Sequence, residues 1–253
     1  MGRDPGTGTR HRQAPPGIDP VAPGAAAAGE DGPVPSQSPE DRRMAVLVAG
    51  HRGAAPVAAG ALKDPDPGVR AAALGALARC QRLDVASLVA AIVDPSGGVR
   101  RRACELAADL DTELAAAAGA GTAPGAGGAP DDLDAALTTA LADTEPLVAE
   151  AACWALGERH RVGAVDDLAA MAGTHPDVRC REAAVAALGA IGHRSGLPAV
   201  LAALGDKPTI RRRATVALAA FDGPQADEAL RRSAQDRDWQ VREVAEILLD
   251  DGP

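Results

Sequence analysis

Residues 143–157 read DTEPLVAEAACWALG, and residues 175–189 read HPDVRCREAAVAALG. Laid over each other, they share one register. Val148 and Cys180 each open an apolar run, Ala152 and Ala184 stand four places on, Ala155 and Ala187 seven, and Leu156 and Leu188 eight. Positions 0, 4, 7 and 8 share one stripe of an α-helix, so each stretch reads as an amphipathic helix entered through a polar turn.

The same register recurs along the chain. Its anchors are Val69, Val99, Val148, Cys180, Ile210 and Val241, spaced 30, 49, 32, 30 and 31 residues apart. An alanine lies four places after every one: Ala73, Ala103, Ala152, Ala184, Ala214 and Ala245. Position 7 carries Ala or Leu up to Leu248, and position 8 carries Leu or Ala up to Leu249, so both are assigned to the core stripe. Ahead of each anchor comes a turn such as Asp64-Pro65-Asp66-Pro67-Gly68, and ahead of the turn a shorter apolar helix such as residues 197–204. One helix pair cannot bury its own apolar stripe, so the pairs must stack. The single long spacing holds one repeat plus an insertion, and residues 117–130, AAGAGTAPGAGGAP, have the composition of a flexible loop.

Composition agrees with helices throughout. Of 253 residues, 46% are hydrophobic, yet there is no Tyr, one Phe and two Trp. A core of Ala and Leu favours helix, because both lose little freedom there. Residues 1–37 are rich in Gly, Pro and Ala without apolar periodicity, and are expected to form a disordered tail. Order is expected to begin at Ser38-Pro39-Glu40-Asp41, which combines an N-cap, a first-turn proline and acids at the positive end of the helix dipole. The repeat domain is therefore assigned to residues 38–253.

The net charge of −9 argues against a surface built to neutralise phosphates. No apolar leader and no apolar run of spanning length is present, so the expected setting is the cytoplasm, without membrane contact. Cys80, Cys104, Cys153 and Cys180 form no C-x-x-C pair; Cys180 fills an anchor slot, and Cys104 and Cys153 fill the slot that holds Leu74 and Val185 elsewhere. They read as small buried hydrophobes.

The repeat pattern D-x-x-x-x-V-R-x-x-A-x-x-A-L-G, seen best in residues 64–78, 143–157 and 175–189, resembles the HEAT-like repeats first named for phycocyanobilin lyases. That resemblance implies an all-α fold: an α-solenoid (armadillo/HEAT-like superhelix) of about six helix pairs plus an N-terminal capping helix. It also implies a role for the arginine that follows the anchor and for the acid that starts the repeat. In similar repeats these form a hydrogen-bonded ladder between stacked loops, which here would comprise Asp64, Arg70, Asp94, Arg100, Asp143, Arg181, Arg211, Asp236 and Arg242. Deoxyhypusine hydroxylase is similar in repeat length and holds a di-iron centre through His-Glu dipeptides. This sequence has none, its histidines being followed by Arg or Pro, so no metal ligand, cofactor or catalytic residue carries over.

What remains is a surface. Positions 2 and 6 after the anchor point away from the core stripe, and second helices of such solenoids usually line the concave side. These positions hold Arg101 and Glu105, Glu150 and Trp154, Glu182 and Ala186, and Arg212 and Val216. Trp154, a large aromatic on a polar strip, has the profile of an interface anchor. Sequence also allows it to be packed against a neighbouring helix. The expected function is a non-catalytic scaffold or adaptor, monomeric, that binds another protein or a peptide segment. The alternatives are a lyase-type or other protein-modifying enzyme or accessory subunit, and nucleic-acid binding through Arg100-Arg101-Arg102 and Arg211-Arg212-Arg213.

Overall fold

Ser38 is the N-cap of the first described helix. Its hydroxyl accepts the Asp41 amide at 3.1 Å and the Asp41 carboxylate accepts the Ser38 amide at 3.3 Å, a reciprocal capping box with Pro39 in the first helical turn. The structure, a computed structural model, describes residues 38–110 and 130–250. The tail at 1–37 and residues 117–129 of the expected insertion lie outside the described residues. Pro130, assigned to that insertion, instead opens a helix.

The described residues contain thirteen α-helices and no strand. They run α1 (Pro39–His51), α2 (Ala55–Ala61), α3 (Pro67–Arg79), α4 (Val85–Ile92), α5 (Gly97–Ala108), α6 (Pro130–Ala140), α7 (Pro146–Glu158), α8 (Val165–Thr174), α9 (Val178–Ile191), α10 (Leu197–Ala203), α11 (Pro208–Leu218), α12 (Pro224–Ser233) and α13 (Trp239–Asp250). From α2 onward they form six pairs. The chain thus folds as an α-solenoid, with α1 placed ahead of the first pair.

Every second helix packs on the next second helix, from α3 on α5 to α11 on α13, whereas first helices make substantial contact with their counterparts only at α4–α6, α8–α10 and α10–α12. Helix α1 packs on α3 and so belongs to the second-helix layer, with no first helix before it among the described residues. The anchors and the alanines four places after them are all buried, as the stripe requires. The stripe fails at the last helix, where Leu248 is half-buried and Leu249 is 38% exposed. No following helix packs there among the described residues.

The closing glycine of the repeat pattern has a steric reason. A Cβ on Gly189 would stand 2.7 Å from Ala217 Cβ and 2.9 Å from Ala217 Cα; one on Gly157 would stand 3.0 Å from Ala187 Cα; one on Gly50 would stand 2.8 Å from Ala76 Cβ. In each case the glycine of one second helix faces the position-7 alanine of the next. Small residues on both sides allow the close approach, and backbone atoms cannot move aside as a flexible side chain could.

Gly189→Ala should therefore destabilise the protein by about 1–2 kcal/mol, the overpacking penalty exceeding the helix-propensity gain of about 1 kcal/mol. Gly173→Ala, in α8 with nothing within 4 Å of the new methyl, should stabilise it by about 0.4–1 kcal/mol. Denaturant titration of the two variants checks both signs.

Candidate functional site

The second-helix layer carries two polar constructions, a ladder along its loop edge and a groove on its outward face. The ladder is built from an arginine at the start of most of the second helices. Arg70 sends Nε and Nη2 to the two carboxylate oxygens of Asp94, each at 2.8 Å, and Nη1 back to the carbonyls of Asp64 and Pro65. Arg100 repeats this with Asp143, Arg181 with Asp206, and Arg211 with Asp236. Each arginine holds its own loop through carbonyls and the next loop through a bidentate pair. Each aspartate also accepts a backbone amide from its own turn, as Asp94 does from Ser96 at 2.8 Å.

Two members of the ladder escape the sequence pattern. Arg42 in α1 bonds Asp64 through Nε and Nη2, both at 2.8 Å. Asp41 occupies the anchor slot before it, so no apolar residue marks the position. Asp206 stands four residues before its anchor Ile210, while the other acids stand five before theirs. It accepts the Lys207 amide at 2.7 Å instead of an amide two places on. Arg242 departs in the other direction, holding only the carbonyl of Asp236 in its own loop. Among the described residues the rungs number five for six junctions. The α7–α9 junction lacks one, because Ala149 takes the arginine slot and His175 the aspartate slot. His175 Nδ1 still accepts the Asp177 amide at 3.1 Å, replacing the aspartate in its turn but not in its rung.

The groove opens at that same junction. It has a volume of ≈ 320 Å³ and lies between α7 and α9, lined by Glu150, Trp154, Glu158, Arg179, Glu182 and Arg213 with small residues of α9 between them. Trp154 is 44% exposed, so it faces the groove rather than the core. Of the residues proposed from sequence, Glu150, Trp154 and Glu182 meet here. Arg212 does not line the groove. Arg213, one place on, turns back across the junction and reaches Glu182 at 3.5 Å. Arg101 and Glu105 pair with each other on α5 at 3.3 Å, and Arg102 joins Glu105 at 3.1 Å. The arginine runs are thus largely consumed: Arg100 and Arg211 by rungs, and Arg101, Arg102 and Arg213 by glutamates.

Other polar residues have structural tasks. Arg159, nearly buried, binds Asp134 at 3.1 Å and the carbonyls of Ala107 and Leu110. It thereby holds the end of α5 and the start of α6 together. Burial lowers its pKa, which Asp134 opposes. The His160 ring meets the Ala190 carbonyl at 2.8 Å, so this histidine caps the second helix of the next repeat rather than its own. Burial pushes the Cys104 thiol up to about 12 and the Cys180 thiol up to about 11, and raises Cys153 as well. These are the opposite of activated thiolates. Among the described residues no group of three or more His, Cys, Asp or Glu could hold a metal ion, and no helix is long and apolar enough to cross a membrane.

Stacked helix pairs, laddered loops and an open second-helix face define an armadillo/HEAT-like repeat solenoid. The family described as HEAT repeats matches residues 34–109, 85–189, 133–215 and 174–250, and the chain belongs to it. No curated protein matches. Among solved structures the chain is similar to a designed armadillo repeat protein in complex with the peptide (KR)4, at 16% identity and a TM-score of 0.56 over 77% of this chain and 98% of that one. It is also similar to YibA of E. coli, at 16% identity and a TM-score of 0.54 over 85% of this chain and 75% of that one. These likenesses are of fold.

The ladder has a pH signature. The Arg42 hydrogen bonds hold Asp64 down to about 2, and arginine partners likewise hold Asp143, Asp206 and Asp236 below the usual carboxylate range. At Asp94 burial pushes up, and Arg70 with the Ser96 amide outweighs it. Folded-state pKa values below the unfolded value of about 3.9 give stability that is present above that pH and lost as pH falls through the folded values. Thermal melts should be flat from about pH 7 to 5 and fall steeply from about pH 4 toward 2, with Asp64→Asn removing part of the fall.

Proposed function

We propose that this protein is a non-catalytic scaffold or adaptor that binds a segment of another protein on its second-helix face. One observation carries the reading: Trp154 stands exposed in a ≈ 320 Å³ groove between two second helices, on rigid elements rather than on a loop. A large aromatic that the fold does not use for its own core is the kind of side chain that dominates binding energy when a partner covers it. The flanking walls suit a chain of side chains. Ala183, Ala186 and Ala190 leave the floor open, and Glu150, Glu158 and Glu182 supply acceptors at the rim. The fold supports the reading too, since a designed armadillo protein of similar fold holds a peptide.

The rival readings have less behind them. Binding of nucleic acid through the arginine runs would need free guanidinium groups, and of the six in the two runs only Arg212 makes no ion pair within 4 Å among the described residues. The lyase-type reading would need an acid–base pair or an activated nucleophile, and the buried thiols are shifted the wrong way.

The test separates binding from folding. Affinity capture with the full chain, followed by mass spectrometry, should recover a partner that Trp154→Ala loses by more than about tenfold. The melting temperature should hardly move, since exposed substitutions cost less than about 0.5 kcal/mol. Unchanged capture removes the groove as the binding site. A stability loss of about 3–5 kcal/mol would show that the indole belongs to the packing.

A further inference from the structure

The slot occupied by Trp154 is apolar in four consecutive second helices. Position 6 after the anchor holds Trp154 in α7, Ala186 in α9, Val216 in α11 and Ile247 in α13. Trp154 is 44%, Val216 43% and Ile247 54% exposed, and Ala186 is half-buried. Upstream the same slot holds Gly75 and then Glu105, which is paired to Arg101 and Arg102. An apolar row therefore begins at Trp154 and runs to the last helix. A second groove, of ≈ 310 Å³, continues the first between α9 and α11, sharing Ala186, Ala190 and Arg213 with it and reaching Val216.

The row lies among acids at its two ends, while between them Arg212, one turn before Val216 on α11, makes no ion pair within 4 Å among the described residues. Glu150 and Glu158 stand one turn to either side of Trp154 on α7, and Glu243 stands one turn before Ile247 on α13. Neither Glu150 nor Glu158 makes an ion pair within 4 Å among the described residues. The cations that face the first groove are engaged: Arg213 with Glu182 at 3.5 Å, and Arg179 with Asp177 at 3.3 Å. The uncompensated charge beside the indole is negative, and so is the chain as a whole at −9.

We propose that the partner segment is cationic and amphipathic: an extended stretch with an apolar side chain at about every third residue and Lys or Arg between. The proposal rests on the docking reading above and deepens it. Packed helix axes lie about 8–10 Å apart, and three residues of an extended polyproline-like chain cover about 9 Å, so one apolar side chain falls on each slot. A Lys or Arg beside the first of them meets the face of Trp154 with Glu150 and Glu158 on either side. That arrangement combines a cation–π contact with charge-assisted hydrogen bonds. The negative field of the chain favours the encounter.

The experiment uses the full chain and fluorescein-labelled synthetic peptides, read by anisotropy at about 0.15 M salt. The peptide (Leu-Lys-Arg)4 should bind, and (Ser-Lys-Arg)4 and (Leu-Glu-Asp)4 should bind at least about tenfold more weakly. Glu150→Gln combined with Glu158→Gln should weaken (Leu-Lys-Arg)4 by at least about tenfold. Asp166→Asn combined with Asp167→Asn removes as much charge from the exposed start of α8 and should change its affinity by less than about twofold. Equal losses in the two double variants would assign the binding to net charge and overturn the proposal. Equal or tighter binding of (Leu-Glu-Asp)4, itself lost in Trp154→Ala, would overturn the cationic choice and leave the docking face standing. If no peptide responds to Trp154→Ala, both fall.

Discussion

An arginine at the start of a second helix, forked onto the aspartate of the next repeat, fixes the loop edge of the stack at five of the six junctions among the described residues. The helix faces, strips of alanine, glycine and leucine, set how closely the helices approach. The rung adds a directional constraint at the loops. Its two parallel hydrogen bonds require the next loop at one height, and its third nitrogen is already committed to the carbonyls of its own loop. Each pair is only partly withdrawn from water, so its net worth is modest. Its value lies in recurrence, because a solenoid is stabilised by nearest-neighbour terms that repeat along it.

The rung and the small-residue contact divide the work. Rungs fix the loop edge of the second-helix layer, while the Gly–Ala contacts bring the other ends of the helices together. At the α7–α9 junction only the second device is present, with Gly157 against Ala187. The groove that exposes Trp154 lies at this junction. A rung would join a guanidinium and a carboxylate across its loop edge; Ala149 and His175 leave that edge without an ion pair between the two repeats, Arg179 and Asp177 pairing within one turn. The loss of both partners together spares the structure an unpaired half-buried charge, which is the costly outcome.

Much of this was legible in the residues, and the exceptions are instructive. The anchors and the alanines four places on announce themselves because burial permits only a few residue types. Asp206 and Arg42 did not, since a one-residue shortening of the turn hides the first and a polar residue in the anchor slot hides the second. Leu249 was assigned to the core by its register, but a register cannot say whether a neighbour follows. The groove was half-legible. Glu150, Trp154 and Glu182 could be placed on one face by spacing, yet the choice between Arg212 and Arg213 turns on which side chain leans back over the preceding helix. The exposure of Trp154 was left open, because position 6 points away from its own stripe, yet a side chain of that size can still be covered by a neighbouring helix, and spacing within one helix does not say whether it is.

The rung is a transferable device specified by its two residues. Ala149→Arg with His175→Asp should install it at the one junction that lacks it. In a double-mutant cycle by denaturant titration, the pair should be more stable than the sum of the single variants predicts, by about 0.5–2 kcal/mol. Ala149→Arg alone should stabilise nothing, having no acid to meet. Strict additivity of the two changes would contradict this, and would mean that the two residues alone do not specify a rung.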